Sequence, residues 1–146
     1  MKKYIFIILA AILTLSFSCK EDCPCDCGLP QYPCGDKVII LPYSSSNTRS
    51  DNFTITGAQI IGDSLRVDIA SSGCAGSTWK VCLFDSGAVM ESYPEQRLLW
   101  LTLENREACD AVPTRSFAFD IAPLQIQSDK IYLNLQGWNE KLLYDY

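Results

Sequence analysis

Eight cysteines and no histidine occur in a chain of 146 residues, and these two counts bound its chemistry. Without imidazole, the commonest proton shuttle and nucleophile-activating base is missing, and so is one of the two usual ligands of structural zinc. Cys23, Cys25, Cys27 and Cys34 fall in one short Pro- and Gly-rich run just after Cys19, while Cys74, Cys82 and Cys109 are spread through the remainder. Thiolates bind zinc well, but a C-x-C-x-C run lacks the C-x2-C spacing of a structural knuckle. No metal and no cofactor is therefore expected. The remaining acid–base candidates are paired carboxylates, Glu91 with Glu95 and Glu104 with Glu107. Two such groups hydrolyse glycosides when a cleft holds them roughly 5–9.5 Å apart, but no insertion in the sequence is long enough to build that cleft.

The run Gly62-Asp63-Ser64-Leu65 resembles the GDSL signature of a lipase and esterase family. That chemistry needs a base to take the serine proton, and this chain has no histidine to do it. Gly62 and Asp63 instead sit between two alternating apolar patterns, where glycine supplies the positive φ of a tight hairpin. Asp63-Ser64-Leu65 is also similar to the Asp-Ser/Thr-apolar acceptor of Bacteroidota O-glycosylation.

The amino terminus is a separate unit. Met1, Lys2 and Lys3 precede a charge-free run from Tyr4 to Ser18, the pattern of a basic n-region and an apolar h-region. The run is short of the roughly 20 apolar residues that a spanning helix needs, so residues 1–18 are expected to be a signal peptide. Leu15-Ser16-Phe17-Ser18-Cys19 resembles the lipobox of bacterial lipoproteins, in a relaxed form with Ser16 and Phe17 at its centre. The resemblance implies that Cys19 is acylated and becomes the first residue after cleavage. Lys20-Glu21-Asp22 is similar to the signal that sends flavobacterial lipoproteins to the outer face of the outer membrane. Surface display on the outer membrane is thus expected, with a periplasm-facing anchor as the alternative.

Charge agrees with an anchored, soluble body. The chain has 12 Lys plus Arg against 17 Asp plus Glu, and loss of Lys2 and Lys3 with the signal leaves 10 against 17, a net charge of −7. The scattered basic residues offer no clustered surface for phosphate, so nucleic acid is excluded as a partner. Residues 19–36 show neither helical nor strand periodicity and are expected to be a Cys/Pro-rich tether, leaving 37–146 as one folded domain.

In that domain the apolar period is two. Leu65, Val67 and Ile69 form one inward set, Trp79, Val81 and Leu83 a second, Phe117, Phe119 and Ile121 a third, and Ile131, Leu133 and Leu135 a fourth. Further strands are expected over 37–42, 53–61, 98–104 and 142–146. Residues 98–103 are apolar on both faces and should be central; Gly57 should mark a bulge where inward parity shifts. About eight short strands with no helical window predict an all-β, antiparallel, immunoglobulin-like β-sandwich.

If Cys19 is acylated, seven cysteines remain, and an odd number leaves at least one without an internal partner. Cys74 and Cys109 lie in turn regions that a sandwich can bring to one end, and an exported location favours a disulfide over two separate buried thiols. Cys82, in mid-strand, is either a packed free thiol or the partner of a tether cysteine. The tether cysteines can also cross-link one chain to another.

Phe53-Thr54-Ile55, Gly62-Asp63-Ser64-Leu65, Ser72-Gly73-Cys74, Glu107-Ala108-Cys109, residues 119–124 and residues 133–138 together resemble a group of small exported Bacteroidota lipoproteins of unassigned function. The likeness covers about 52–146. It implies a β-sandwich with a Cys74/Cys109 bridge, and no catalytic residue.

Three functional classes follow, in descending order: a lipid-anchored binding or interaction module, a structural accessory subunit of an outer-membrane complex, and a small glycan hydrolase. Partners in the first are the membrane, through Cys19, and a glycan or an envelope protein. Tyr93, in an unpatterned stretch, and Trp138, in a connection between strands, are the candidate binding residues, expected among loops at a pole of the sandwich.

Overall fold

The computed structural model describes residues 33–41 and 48–146. The signal peptide, Cys19 and most of the tether, including Cys23, Cys25 and Cys27, lie outside the described residues.

Alternation becomes eight strands: β1 (Ile39–Ile40), β2 (Thr54–Ile61), β3 (Ser64–Ala70), β4 (Lys80–Met90), β5 (Gln96–Glu104), β6 (Thr114–Asp120), β7 (Lys130–Leu135) and β8 (Leu142–Asp145). They form two sheets, one in the order β1-β4-β5-β7-β8 and the other β2-β3-β6, so the fold is an all-β sandwich. Leu65, Val67 and Ile69 of β3 are fully buried, as are Leu83, Leu99, Ile131 and Leu133 from the larger sheet. Each such side chain removed from water contributes about 1.5–3 kcal/mol, and the facing sets make one continuous core. Trp79 belongs to that core, as its parity requires.

The β2–β3 hairpin turns at Gly62, whose φ of 55° is the left-handed conformation a tight turn needs. Its register shifts between Ile55 and Gly57, which places the expected bulge. Asp63 in this turn accepts a hydrogen bond from Tyr144 Oη at 2.6 Å, tying the last strand to the first hairpin. Burial, and then the bond to Asp63, push the Tyr144 phenol up to about 12.

Strand pairing is mixed, a correction to the antiparallel expectation. β1 runs parallel to β4, and β5 runs parallel to β7. In the immunoglobulin order the penultimate strand lies beside the first strand to cross between sheets; here β7 lies beside β5, the second arm of the β4–β5 hairpin. Side-chain alternation dictates which face is buried and carries no information about the neighbour, so it cannot distinguish these orders. β5 is central, as its two apolar faces predict.

β4 also runs further than expected. Part of the unpatterned stretch that precedes Tyr93 is strand, as far as Met90. A bulge hides it: Asp85 pairs with Leu99 and Val89 with Arg97, so 86–88 oppose Leu98 alone. Two surplus residues preserve the in/out parity, which keeps Asp85 and Arg97 on the inner face. Arg97 Nε donates to Asp85 Oδ2 at 3.0 Å and its Nη2 to Oδ1 at 2.6 Å, while Gly87 N donates to Oδ1 at 2.7 Å. Asp85 is 0% exposed and Arg97 6%.

The other side of the larger sheet is partly covered. Leu41, Cys82 and Phe84 form a second apolar cluster with Ile39 and Trp100, and Phe84 stacks on Trp100 with centroids 5.6 Å apart. Cys82 is joined to Cys34, so of the two fates open to it the tether partnership is the one found. Asp36 O accepts from Asp120 N at 2.6 Å, so the chain is tied down from Cys34 onward. Cys74 is joined to Cys109. Closing loops of 48 and 35 residues, each bond removes denatured-state entropy equivalent to about 4 kcal/mol.

A buried pair with its remaining lone pairs satisfied should be costly to break and inexpensive to replace as a unit. Asp85→Ala or Arg97→Ala alone is expected to cost roughly 3–5 kcal/mol in urea unfolding. The double variant Asp85→Leu/Arg97→Met should recover most of that loss; equal losses in single and double variants would show that the pair does not act as a unit.

Candidate functional site

Among the described residues, two hollows of similar size stand out at the surface. The first, of about 840 Å3, is bounded by β5 (Leu98, Trp100, Leu101, Thr102), Phe53 and the start of β2 (Thr54, Ile55), Ser86 of the β4 bulge, the turn residues Gln136 and Gly137, and Leu41, Thr48 and Ser50. Central β5 and its bulged partner supply a rigid floor. Trp100 Nε1 donates to Thr48 Oγ1 at 3.0 Å, and Leu103 N donates to Ser50 Oγ at 3.0 Å, which fastens the covering chain to the same strand. None of the described lining side chains is charged.

The second hollow, of about 900 Å3, lies between β4 and β6 and is lined by Trp79, Phe117, Lys80, Asp120 and the chain at Cys34. Asp36, Asp63, Lys80 and Asp120 make it a charged lining, in which Lys37 stands 3.6 Å from Asp120 and Lys80 3.7 Å from Glu104. The first hollow, uncharged among the described residues and carrying several hydroxyl and amide groups, is the better candidate site.

Three of the four carboxylates proposed as acids and bases are engaged by other groups. Glu107 turns into the loop before Trp79, where Oε2 accepts from the backbone N–H groups of Cys74 (2.6 Å), Ala75 (3.0 Å) and Gly76 (2.9 Å). Oε1 accepts from Thr78 N at 3.3 Å and Thr78 Oγ1 at 3.0 Å. Glycine is required for this approach: Gly76 has φ 66°, and a Cβ on Gly73 would stand 2.7 Å from Oε2. The Gly76 N–H, joined by those of Ala75 and Thr78 and the Thr78 hydroxyl, overcomes desolvation and lowers the Glu107 carboxyl from the ordinary 4.5 to about 2. Glu104 is engaged by Lys80 and Arg106. Glu95 accepts from Ser128 Oγ at 3.0 Å, and Glu91 is exposed. Glu107 is thus a structural anion, a role the sequence signals only through the glycines and hydroxyls of 72–78.

Tyr93 and Trp138 are not brought together. β5 and β7 run parallel, Gln96 beside Tyr132 and Leu99 beside Leu135. Tyr93 precedes one strand and Trp138 follows the other, so they stand at opposite ends of the sheet. Tyr93 is 92% exposed. Trp138 is half-buried against the core, its Nε1 buried without a hydrogen-bond partner among the described residues, and its neighbour Gly137 reaches the first hollow. Among the described residues no group of three or more Cys, Asp or Glu could hold a metal ion. The residues that sequence reading passed over are Trp100, Thr102, Thr48 and Gln136, which meet only because distant segments converge on β5.

Comparison with protein-family models, curated proteins and solved structures finds no match to this chain. Its function therefore rests on the site itself.

Because the folded-state carboxyl of Glu107 is depressed, its stabilisation is present above the ordinary carboxylate range and is lost as pH falls from about 4.5 toward 2. Thermal melts of wild type and Glu107→Gln across pH 2–7 should show a gap that is widest above pH 4.5 and closes toward pH 2. A gap independent of pH would remove the charge from the explanation.

Proposed function

We propose that the chain is a lipid-anchored cell-envelope lipoprotein, held by acylated Cys19 on the outer membrane with its sandwich at the cell surface, and that the sandwich is a non-catalytic binding or interaction module. The observation that carries the binding reading is the hollow on β5: a sizeable recess on a rigid strand, lined by hydroxyl, amide, aromatic and aliphatic groups. Such groups hold a ligand without supplying a proton donor or acceptor that titrates near neutrality. What supports the anchor is the sequence, from Lys2 and Lys3 through the charge-free run to Ser18 and Cys19. Cys19→Ala should abolish labelling by a palmitate analogue and release the protein from the membrane fraction, and proteinase added to intact cells should degrade the anchored wild type. Unchanged labelling would end the lipoprotein reading; full protection from proteinase would turn the anchor toward the periplasm.

A second reading, an accessory subunit of an outer-membrane complex, is favoured by the far end of the sheet. Val89, Met90 and Tyr93, all in or beside the β4–β5 hairpin, are exposed, and a cluster of that kind suits a protein contact. With Cys34 and Cys82 paired and Cys74 and Cys109 paired, the non-acylated cysteines left are Cys23, Cys25 and Cys27. Three cannot pair internally without a remainder. Non-reducing gels should therefore show disulfide-linked oligomers that collapse when these three become Ser, and a ladder surviving that change would place the cross-link in the folded domain.

A further inference from the structure

We infer that the hollow on β5 is a binding site for a neutral oligosaccharide. The inference rests on the binding-module reading and adds its ligand. Thirteen of the described residues line the hollow and none of these is charged, in a chain where 20% of residues are. A charged ligand would lose hydration there and find no counter-charge, so the ligand is uncharged.

The polar atoms of the site then decide between an apolar and a hydroxylated ligand. Thr102 is only 8% exposed, and among the described residues its hydroxyl and the side chains of Thr54 and Gln136, which line the hollow with it, have no hydrogen-bond partner. Thr48 Oγ1 accepts from Trp100 Nε1 and keeps its own proton to donate. An acyl chain or other hydrocarbon would cover these groups and leave them without water or partner, which is the costly outcome for a buried polar atom. Sugar hydroxyls both donate and accept, and so satisfy a mixed set of Thr hydroxyls and a Gln amide. The C–H faces of a sugar ring at the same time need flat or aliphatic surface, which Leu98, Phe53 and Trp100 provide. Stacking on Phe84, 5.6 Å away and inclined by 18°, fixes the Trp100 ring before any ligand arrives. The volume, about 840 Å3, lies within the roughly 300–1,000 Å3 of small-ligand sites.

The test is titration of the full mature chain with neutral gluco-, manno- and xylo-oligosaccharides, followed by amide shifts in 15N–1H spectra and by tryptophan fluorescence. A uronate oligosaccharide of equal length and a neutral long-chain alcohol serve as comparison probes. At least one neutral oligosaccharide should saturate, shifting amides of residues 98–102 and 136–137, with the uronate at least tenfold weaker. Thr102→Val should weaken binding at least fivefold. Gln136→Ala, on an exposed side chain, should weaken it at least threefold without moving the melting temperature, and it decides the matter if Thr102→Val fails to fold. Saturation of the site by the alcohol alone would overturn the ligand class and leave the binding module standing. Sugar-induced shifts confined to other surfaces, equal binding of the uronate, or no response to any neutral oligosaccharide would each overturn the inference. If none of the probes binds and membrane release by Cys19→Ala changes no interaction, the binding-module reading falls as well.

Discussion

A carboxylate removed from water dictates much of the larger sheet. Asp85 follows Val81 and Leu83 in the inward parity of β4, so the alternation that builds the core also carries a charge into it. An ion in that position persists only if its oxygens are satisfied by donors and its charge is met. Arg97 supplies the charge and two N–H groups, and Gly87 supplies a third donor. Gly87 N can reach back to Asp85 only if the strand curls between them, and the curl is the bulge at 86–88. With the bulge come the register of the β4–β5 hairpin, the isolation of Leu98 opposite three residues, and the presence of Ser86 at the edge of the hollow. A feature of the core and a feature of the surface thus have one cause.

The irregular loop before Trp79 is held by the same logic at the opposite sign of packing. Residues 72–78 have no sheet partner, so their N–H groups need an acceptor from elsewhere. One carboxylate, Glu107, serves four of them and a hydroxyl, and the nearby Cys74–Cys109 bond fixes the distance at which it does so. Asn105 joins the arrangement, accepting from Glu107 N at 2.9 Å and donating to Ser72 O at 2.6 Å. Trp79, whose ring lies against Gly76, is thereby seated at the rim of the core although the chain before it is not regular.

How much of this was legible depends on whether a feature is local. Period-two alternation located all eight strands, Gly57 its bulge and Gly62 its turn, because each of these is determined by a few consecutive side chains. Centrality of β5 was legible because both its faces are apolar. The parallel pairs were not, since pairing partners are chosen by the packing of whole sheets. The outer half of β4 was lost for a definite reason: Ser86, Gly87 and Ala88 read as a loop unless Asp85 and Arg97 are already known to be a pair. The Cys74–Cys109 bond could be expected from turn positions, whereas the partner of Cys82 could not be singled out from the tether cysteines. The hollow was illegible for the strongest reason, since Thr48, Thr102 and Gln136 acquire a relation only through contacts across the fold.

The cross-link between Cys34 and Cys82 connects these structural facts to the proposed anchored state. In that state any pull from the membrane enters the domain through the residues preceding Cys34. The first strand after that point, β1, pairs with β4 over two residues only, and a short parallel ladder loaded at its end gives way bond by bond. The disulfide bypasses it. Force arriving at Cys34 passes covalently to Cys82 in β4, which is paired along most of its length to β5 at the centre of the sheet. Between Cys19 and Cys34 the chain reaches at most about 50 Å, so the domain is held near its anchor by the strand that also supplies the floor beside the hollow. In the proposed tethered state, load would therefore enter the sheet at β4, a strand paired over most of its length, rather than at the two-residue ladder of β1.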